Sequence, residues 1–299
     1  MKRWILIITL CLISGLNMAQ TSNELAAVLE VLEPGVTVQR VNTNNPIAVN
    51  VEAIVGVGDV IRTDASGRAR ITFFADGTDT ELLPNTEYRI ETFEGNDDEF
   101  RLSVSVLAGQ TVQRLSRIID TNSSYDIHTP AMQLAARGTT FAIRVENNGR
   151  SGMIVSEGTV TASADESTAD VPVGFGVRAT SREGLSDVVP ATSFEELDAA
   201  LDGCQIAINV IDDVRFNVRV SPSLEAQRVG TVDPAEVEVV IGVNQSGGWY
   251  RIPFRGGYGW FLSSTAEVTS NCAGLRVFPD DQLEDISLYD TIGDPIELP

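Results

Sequence analysis

The chain has 299 residues, enough for about two domains, because a domain usually contains about 100–200 residues. Its formal net charge is −21 at pH 7. This charge argues against nucleic acid and anionic membranes as partners, since affinity for phosphate groups needs basic side chains.

A basic start and an apolar run predict a signal peptide over residues 1–19. Lys2 and Arg3 precede the run Trp4–Leu16, and cleavage is expected after Ala19. A helix of this run spans about 20 Å, too short for a hydrocarbon core of about 30 Å. An uncleaved anchor is the alternative. We therefore expect a secreted or periplasmic protein with no stable membrane span after cleavage.

Cleavage would also remove the one lysine of the chain, Lys2. It leaves 19 arginines against 42 acidic residues, a net charge of −23. Schiff-base and phosphate-loop chemistry both need a lysine, so both are excluded for the mature chain.

Residues 25–180 alternate short β-type runs with turn residues, which predicts the first domain. The run AAVLEVLEPGVTVQRV predicts a hairpin around Glu33-Pro34-Gly35, and a second hairpin is expected at Asp64–Gly67. Strands about ten residues apart, without a convincing amphipathic helix, predict an all-β sandwich or roll. The expected core residues are Ile71, Phe73, Phe141 and Ile143.

Residues 181–203 are predicted to be a linker with a short helix. Ser193 and Glu196 form a capping box ahead of an apolar stripe, and Gly203 supplies the stop. Residues 204–272 predict a second compact β unit, a small barrel. Residues 273–299 form an acidic tail that either wraps this unit or stays mobile.

Cys204 and Cys272 are the cysteines left after cleavage. In an oxidising compartment this pair predicts one disulfide that closes the second unit. With one distant histidine the pair cannot supply the four nitrogen and sulfur ligands of a structural zinc site. No metal and no cofactor are therefore expected.

His128 is the single histidine, and it raises the question of a catalytic centre. On an extended strand Ser124, Asp126 and His128 share one face. No Gly-x-Ser-x-Gly elbow is present, so a strand histidine is favoured over a Ser-His-Asp site, and we expect no enzyme. The acidic stretch Glu94–Glu99 lacks the EF-hand spacing, which favours a solvated loop over a calcium site. Gly138 is expected to permit a tight turn or bulge.

Several short motifs of the first domain resemble a FecR-type domain in their order and spacing. The matching stretches are Gly58–Thr63, Ala69–Phe73, Asp76–Thr78, Leu83–Thr86, Leu107–Gly109, Arg137–Phe141 and Glu157–Val160. The resemblance implies an exported β-rich module. The best-known members relay a signal from an outer-membrane transporter to a cytoplasmic sigma factor through a membrane helix. Here the domain follows directly on the predicted signal peptide, which departs from that plan.

The second unit resembles a bacterial SH3-like domain. The matching stretches are Phe216–Ser223, Val229–Val232, Gly248–Ile252 and Gly257–Phe261. The resemblance implies a small barrel that binds cell-wall peptides, glycans or proteins. Its ligand-binding candidates are Trp249, Tyr250, Tyr258 and Trp260, because aromatic rings over a shallow cleft suit such ligands. The same rings also suit a barrel core, and for Trp260 the core is favoured.

These patterns predict a non-enzymatic exported protein that binds cell-wall peptide, glycan or an envelope protein through its SH3-like domain. The alternative is an envelope signalling component that regulates a sigma-factor pathway through a separate membrane partner.

Overall fold

The computed structural model describes residues 25–74, 78–95, 100–115, 123–208, 216–232, 239–268 and 275–284. Its N-terminal unit, residues 25–190, contains the strands β1 (Leu25–Glu33), β2 (Val36–Gln39), β3 (Ile47–Val49), β4 (Glu52–Gly56), β5 (Val60–Thr63), β6 (Arg68–Phe73), β7 (Asp79–Leu82), β8 (Glu87–Gly95), β9 (Phe100–Arg114), β10 (Ser124–His128), β11 (Gln133–Ala136), β12 (Thr140–Val145), β13 (Ser151–Glu157), β14 (Thr159–Ala164), β15 (Ser167–Pro172), β16 (Phe175–Thr180), β17 (Gly184–Leu185) and β18 (Val189–Pro190).

These strands form two sheets that share the long strand β9. One sheet has the order β4-β1-β6-β7-β9-β12-β13-β16, with β17 and β18 beside β16. The other has the order β3-β2-β5-β8-β9-β10-β11-β14-β15. Only the β9–β10 pairing in this unit is parallel among the described strands. Up to Ala108, β9 pairs with β8 and β10 in the second sheet. From Gly109 onward it pairs with β7 and β12 in the first sheet.

The hydrophobic core lies between the two sheets. Phe73 of one sheet packs edge-on against Tyr125 of the other, with 6.4 Å between ring centroids. The hydroxyl of Tyr125 donates to Gln113 Oε1 across the same gap at 2.9 Å, so this buried polar group is satisfied. The predicted core residues Ile71, Phe73, Phe141 and Ile143 are all buried. The all-β sandwich or roll is confirmed.

The two predicted hairpins are wrong in their pairing. β1 pairs with β4 and β6, whereas β2 pairs with β3 and β5, so the turn at Pro34-Gly35 passes the chain from one sheet to the other. The turn Asp64–Gly67 does the same between β5 and β6. The two turns contact each other, and Asp64 N donates to Gly35 O at 2.9 Å. Alternating runs around a turn cannot distinguish a hairpin from a crossing between stacked sheets.

A single α-helix, α1 (Phe194–Asp202), is found among the described residues, where the capping box predicts it. The Ser193 hydroxyl accepts a hydrogen bond from Glu196 N, while the Glu196 carboxylate reaches back to Thr192 N. Phe194 and Leu197 are buried against the N-terminal unit, with Ala142 and Ile154 in the same cluster. The helix is therefore packed on the outer face of the first sheet. Strand pairing also continues past residue 180, because β17 and β18 extend the sheet as far as Pro190.

The C-terminal unit is a small barrel. Its strands are β19 (Cys204–Ile208), β20 (Phe216–Arg219), β21 (Arg228–Val232), β22 (Val239–Val240), β23 (Gly242–Asn244), β24 (Trp249–Phe254), β25 (Gly257–Leu262), β26 (Ala266–Val268) and β27 (Val277–Phe278), with a 3-10 turn at Ser263–Thr265. The main sheet has the order β21-β20-β25-β24-β23-β27, and β19 pairs with β22 and β26. Tail residues 275–284 lie on this unit, where β27 pairs with β23. No helix among the described residues is long and apolar enough to cross a bilayer.

Candidate functional site

The hairpin β24–β25 has large side chains on both of its faces. Opposite residues of antiparallel strands share a face, and the register pairs Trp249 with Leu262 and Arg251 with Trp260. These four residues lie on the outer face of the hairpin, as do Pro253 and Tyr258, which form the next pair on that face. The side chains between them point into the barrel core, which includes Ile252, Phe254 and Phe261. A barrel has one interior, so the outer face must be covered by something else.

The four predicted ligand-binding aromatics therefore do not form one site. Tyr250 lies on the inner face, half-buried against the core, with 5.9 Å between its ring centroid and that of Phe261. Trp249, Tyr258 and Trp260 lie on the outer face and are all buried. Trp260 is completely covered, but it lies outside the barrel core, in a cluster with Trp249 and Phe278. Binding of a ligand by any of the four stays a prediction.

Trp249 borders a small apolar groove on the barrel surface, with a volume of about 150 Å³. Its other lining residues are Phe216, Asn217, Arg219, Leu224, Leu262 and Thr265. Leu224 is 66% exposed and Leu262 is 37% exposed, so the groove brings two exposed leucines together at one place. A cavity of about 150 Å³ is large enough for a benzene-sized group. The groove is therefore suited to one apolar or aromatic side chain of a ligand.

Tyr258 faces the N-terminal unit instead and joins the two units. Its hydroxyl donates to Asp198 Oδ2 at 2.8 Å and accepts from Arg144 Nη1 at 2.6 Å. Arg144 Nη2 also contacts both oxygens of Asp198 at 2.8 Å. One residue of this triad comes from β12, one from α1 and one from the barrel. The three side chains are thus a buried polar joint between the units.

Burial and charge act in opposite directions on this joint. Desolvation disfavours the charged carboxylate of Asp198, but Arg144, Tyr258 and Arg178 outweigh it and lower its pKa. Desolvation likewise acts to lower the pKa of Arg144, but the negative charges around it outweigh this effect and raise the pKa above its ordinary value. For Tyr258, burial is the main reason why the pKa of the phenol is raised. At neutral pH the joint is an ion pair bridged by a neutral hydroxyl.

A second set of ion pairs surrounds the joint. Asp202, one helical turn after Asp198, contacts both Arg178 Nη2 at 2.7 Å and Arg150 Nη2 at 2.8 Å. Arg276 of the tail pairs with Glu146 of the N-terminal unit. These side chains are partly buried, so part of their attraction offsets the cost of removing each charge from water. Asp202 thereby ties α1 to the N-terminal unit, whereas the pair of Arg276 with Glu146 connects the tail to that unit.

A cleft of about 610 Å³ opens beside this joint between the two units. Arg144, Arg251 and Arg276 line it, and each pairs with a carboxylate that lines it too, namely Asp198, Glu284 and Glu146. The cleft is thus polar and internally neutralised. Among the described residues, no group of three or more His, Cys, Asp or Glu side chains is placed to hold a metal ion.

The motifs that carry the FecR resemblance hold turns in place. Asp59 is fully buried, and its Oδ2 accepts from Gly56 N at 2.9 Å and from Arg40 Nη1 at 2.6 Å. Thr86 N donates to Thr63 Oγ1 at 2.9 Å, and Gln110 N donates to Thr86 Oγ1 at 3.0 Å. The first two hydrogen bonds hold the turn before β5, and the other two hold the loops at the opposite end of β5. The motif residues are therefore explained by the fold.

The remaining candidates of the sequence fall as follows. Ser124, Asp126 and His128 are on the outer face of β10, since Tyr125 and Ile127 point into the core. Ser105, the residue opposite His128 on β9, donates to Glu91 Oε1 at 2.7 Å. Gly138 has a φ of +56° and the register shifts at Thr140, as the turn or bulge prediction requires.

Two candidates involve residues that the structure does not describe. The predicted disulfide needs Cys272, and the acidic stretch at 94–99 includes residues 96–99; both lie outside the described residues. The disulfide therefore stays a prediction.

The sequence analysis missed the joint residues Arg144 and Asp198, and also Glu284 of the tail. One signal was available, namely the alternation in WYRIPF and GYGWFL, which places bulky residues on both faces of one hairpin. Such a pattern predicts a cover for the outer face, but it does not say which residues supply that cover.

The architecture is that of a β-sandwich joined to a small barrel, and the comparisons with known proteins agree with it. The FecR protein family matches residues 59–161, and the bacterial SH3 domain family matches residues 212–267. The chain therefore carries a FecR domain followed by a bacterial SH3 domain, as both resemblances indicated. Both families are binding or regulatory modules rather than catalytic ones.

Solved structures add a distant similarity. Two crystal structures of a candidate anti-sigma factor from Parabacteroides distasonis ATCC 8503 share 16% identity with this chain. The similar region covers 50% of this chain and 67% of the other, with a TM-score of 0.38. A similarity at this level carries no conclusion about function. No curated protein matches the chain.

Proposed function

We propose that the protein is an exported, non-enzymatic binding protein of the cell envelope. Its SH3 domain contacts cell-wall material or a protein partner through the groove beside Trp249. The observation that supports this proposal is the exposure of Leu224 and Leu262 around an apolar groove on a domain whose family consists of binding modules. Exposed apolar residues gathered at one place mark interaction sites more often than scattered ones do.

Co-sedimentation of the full chain with insoluble cell-wall fragments tests the groove. Leu224→Asp places a charge in the groove without emptying the core, because this side chain is 66% exposed. Val173→Asp is the matched control, since Val173 is 56% exposed and lies in the N-terminal unit. We expect saturable binding that weakens about tenfold or more in Leu224→Asp only. Equal binding by all three proteins would contradict the groove as the contact.

Export is a separate part of the proposal, with its own test. The basic and apolar start of the chain supports it. The mature protein should be recovered from the extracytoplasmic fraction with Gln20 as its first residue. Recovery of the intact chain from the cytoplasm would contradict export, whatever the groove binds.

A second candidate function is envelope signalling. It is supported by the FecR match at 59–161 and by the joint, which connects the FecR and SH3 domains through Arg144, Asp198 and Tyr258. In this version, a ligand that binds the SH3 domain alters the surface through which the FecR domain binds a membrane partner. Deletion of the gene should then change sigma-factor-dependent transcription, and the Leu224→Asp variant should fail to restore it. Unchanged transcription in the deletion strain would contradict signalling and leave the binding role in place.

A further inference from the structure

Tail residues 275–284 lie across the SH3 domain in the way that a bound peptide would. β27 adds a parallel strand beside β23 at the edge of the main sheet. Val243 N donates to Arg276 O and Gln245 N donates to Phe278 O, both at 2.9 Å. Strand addition to a sheet edge is a common mode of peptide recognition, in which the main chain supplies affinity and the side chains supply specificity.

Phe278 is the aromatic anchor of this segment. It is 6% exposed and packs edge-on against Trp260, with 5.8 Å between ring centroids. The guanidinium of Arg251 lies 4.6 Å from the centre of the Phe278 ring and 3.7 Å from that of Tyr258. The outer face of the hairpin thus forms a pocket of aromatic rings and one cation, filled by a single phenylalanine.

Glu284 is the charged anchor, and it is also buried. Arg251 donates to both of its oxygens, from Nε at 2.7 Å and from Nη2 at 2.6 Å. The indole nitrogen of Trp260 donates to Glu284 Oε1 at 2.9 Å. A planar guanidinium that grips a carboxylate with two bonds gives directional recognition. Asp280 adds a third contact, since Asn244 Nδ2 donates to its Oδ1 at 2.7 Å.

The buried core of the barrel does not depend on this segment. Its buried members all lie between Phe216 and Ala266, and of the described tail residues only Leu275 packs against them, partly buried. Phe278 belongs instead to a separate cluster with Trp249 and Trp260 on the outer face. The tail therefore covers a surface that the barrel can present without it.

We propose that this outer face is a second peptide-binding surface, which meets the groove at Trp249, and that the chain's own tail holds it closed. Its open form takes an extended segment of a partner protein with the tail's chemistry, which is an aromatic residue followed by a carboxylate six positions later. Arg251 selects the carboxylate, the rings of Trp249 and Trp260 select the aromatic side chain, and the edge of β23 binds the main chain. The inference does not depend on what the groove at Trp249 binds.

The test uses the full chain and a fluorescent peptide that copies residues 273–286. Glu284→Gln weakens the contact between the tail and Arg251. Asp281→Asn is the matched control, because it removes one negative charge from an exposed residue of the same segment. In the wild-type chain the tethered tail competes at high effective concentration. The Glu284→Gln chain should bind the peptide about tenfold more tightly than the wild type and the control do. A peptide with glutamine in place of its Glu284 should lose this binding.

Hydrogen exchange distinguishes an opened tail from an unfolded barrel. In Glu284→Gln, and in a second variant, Phe278→Ala, the amides of Val243 and Gln245 should exchange faster, while those paired between β24 and β25 stay protected. Added peptide should restore the protection. The proposal is overturned if β24 and β25 lose protection as well, or if the peptide binds all chains equally. If light scattering shows that the variants form dimers, the face binds the tail of a second copy, which would contradict a separate partner protein.

Discussion

Replacement of Asp198 by asparagine should destabilise the protein by about 3 kcal/mol. This residue is 2% exposed and accepts four hydrogen bonds, two from Arg144, one from Tyr258 and one from Arg178. Asparagine keeps the shape and one acceptor oxygen, but it leaves the buried guanidinium of Arg144 without its principal countercharge. Removal of one partner of a buried ion pair costs about 3–5 kcal/mol, and the remaining acceptor places this change near the lower limit.

Urea unfolding of the wild type and of Asp198→Asn at pH 7 measures this cost. Asp187→Asn is the matched control, because Asp187 is an exposed acid in the segment just before α1. Exposed substitutions usually change the free energy of unfolding by no more than about 0.5 kcal/mol. A loss below about 1 kcal/mol in Asp198→Asn would refute the buried joint, since water would then be solvating Arg144.

The same pair of proteins gives a pH test with a defined sign. The pKa of Asp198 is lowered in the folded chain, so the charge of this carboxylate adds stability above its unfolded pKa of about 3.9. This contribution is lost as the pH falls through the lowered folded-state value. The difference in the free energy of unfolding between the wild type and Asp198→Asn should therefore shrink between about pH 5 and pH 2. A difference that stays constant would contradict the lowered pKa.

Two further predictions concern the backbone and the cysteines. Gly109 has a φ of +85°, and a Cβ there would lie 2.4 Å from Asn85 O, whereas Gly174 has a φ of +80° with no atom within 4 Å. Gly174→Ala should lower the free energy of unfolding in urea by about 1–2 kcal/mol, because alanine is strained in a left-handed backbone. Gly109→Ala should lower it by at least about 1 kcal/mol more, because its Cβ would also collide with Asn85 O. Equal losses in the two variants would contradict the close approach. Exported protein should contain no free thiol at Cys204 or Cys272 by mass spectrometry after alkylation, and reduction should lower the stability by about 4 kcal/mol on the chain-entropy model. Alkylation of both cysteines without reduction would contradict the disulfide.

The fold was largely predictable from the sequence because its signals are local. Alternation placed Phe73 and Phe141 in the core, and the capping box at Ser193 and Glu196 placed the helix. The sheet to which each strand belongs was not predictable in the same way. The turns at Pro34-Gly35 and at Asp64–Gly67 were expected to close hairpins, but they connect stacked sheets, because pairing depends on partners far away in sequence.

The binding surfaces were predictable only in part. The aromatic residues of the hairpin β24–β25 were recognised as candidates, yet they divide between the inner face, the groove at Trp249 and the joint at Tyr258. Arg144 and Glu284 lie 114 and 24 residues from their barrel partners Tyr258 and Trp260, and neither is part of a motif. Contacts of this separation depend on the tertiary fold, which no local pattern encodes.

The central claim is that the SH3 domain binds an envelope ligand through the groove beside Trp249. Hydrogen exchange of the full chain, with and without solubilised cell-wall fragments, tests it most directly. We predict that protection increases in Phe216–Arg219 and around Leu224 and Leu262, which line the groove, and that Leu224→Asp abolishes the increase. Protection confined to the FecR domain, or no change at saturating fragment concentration, would contradict the claim.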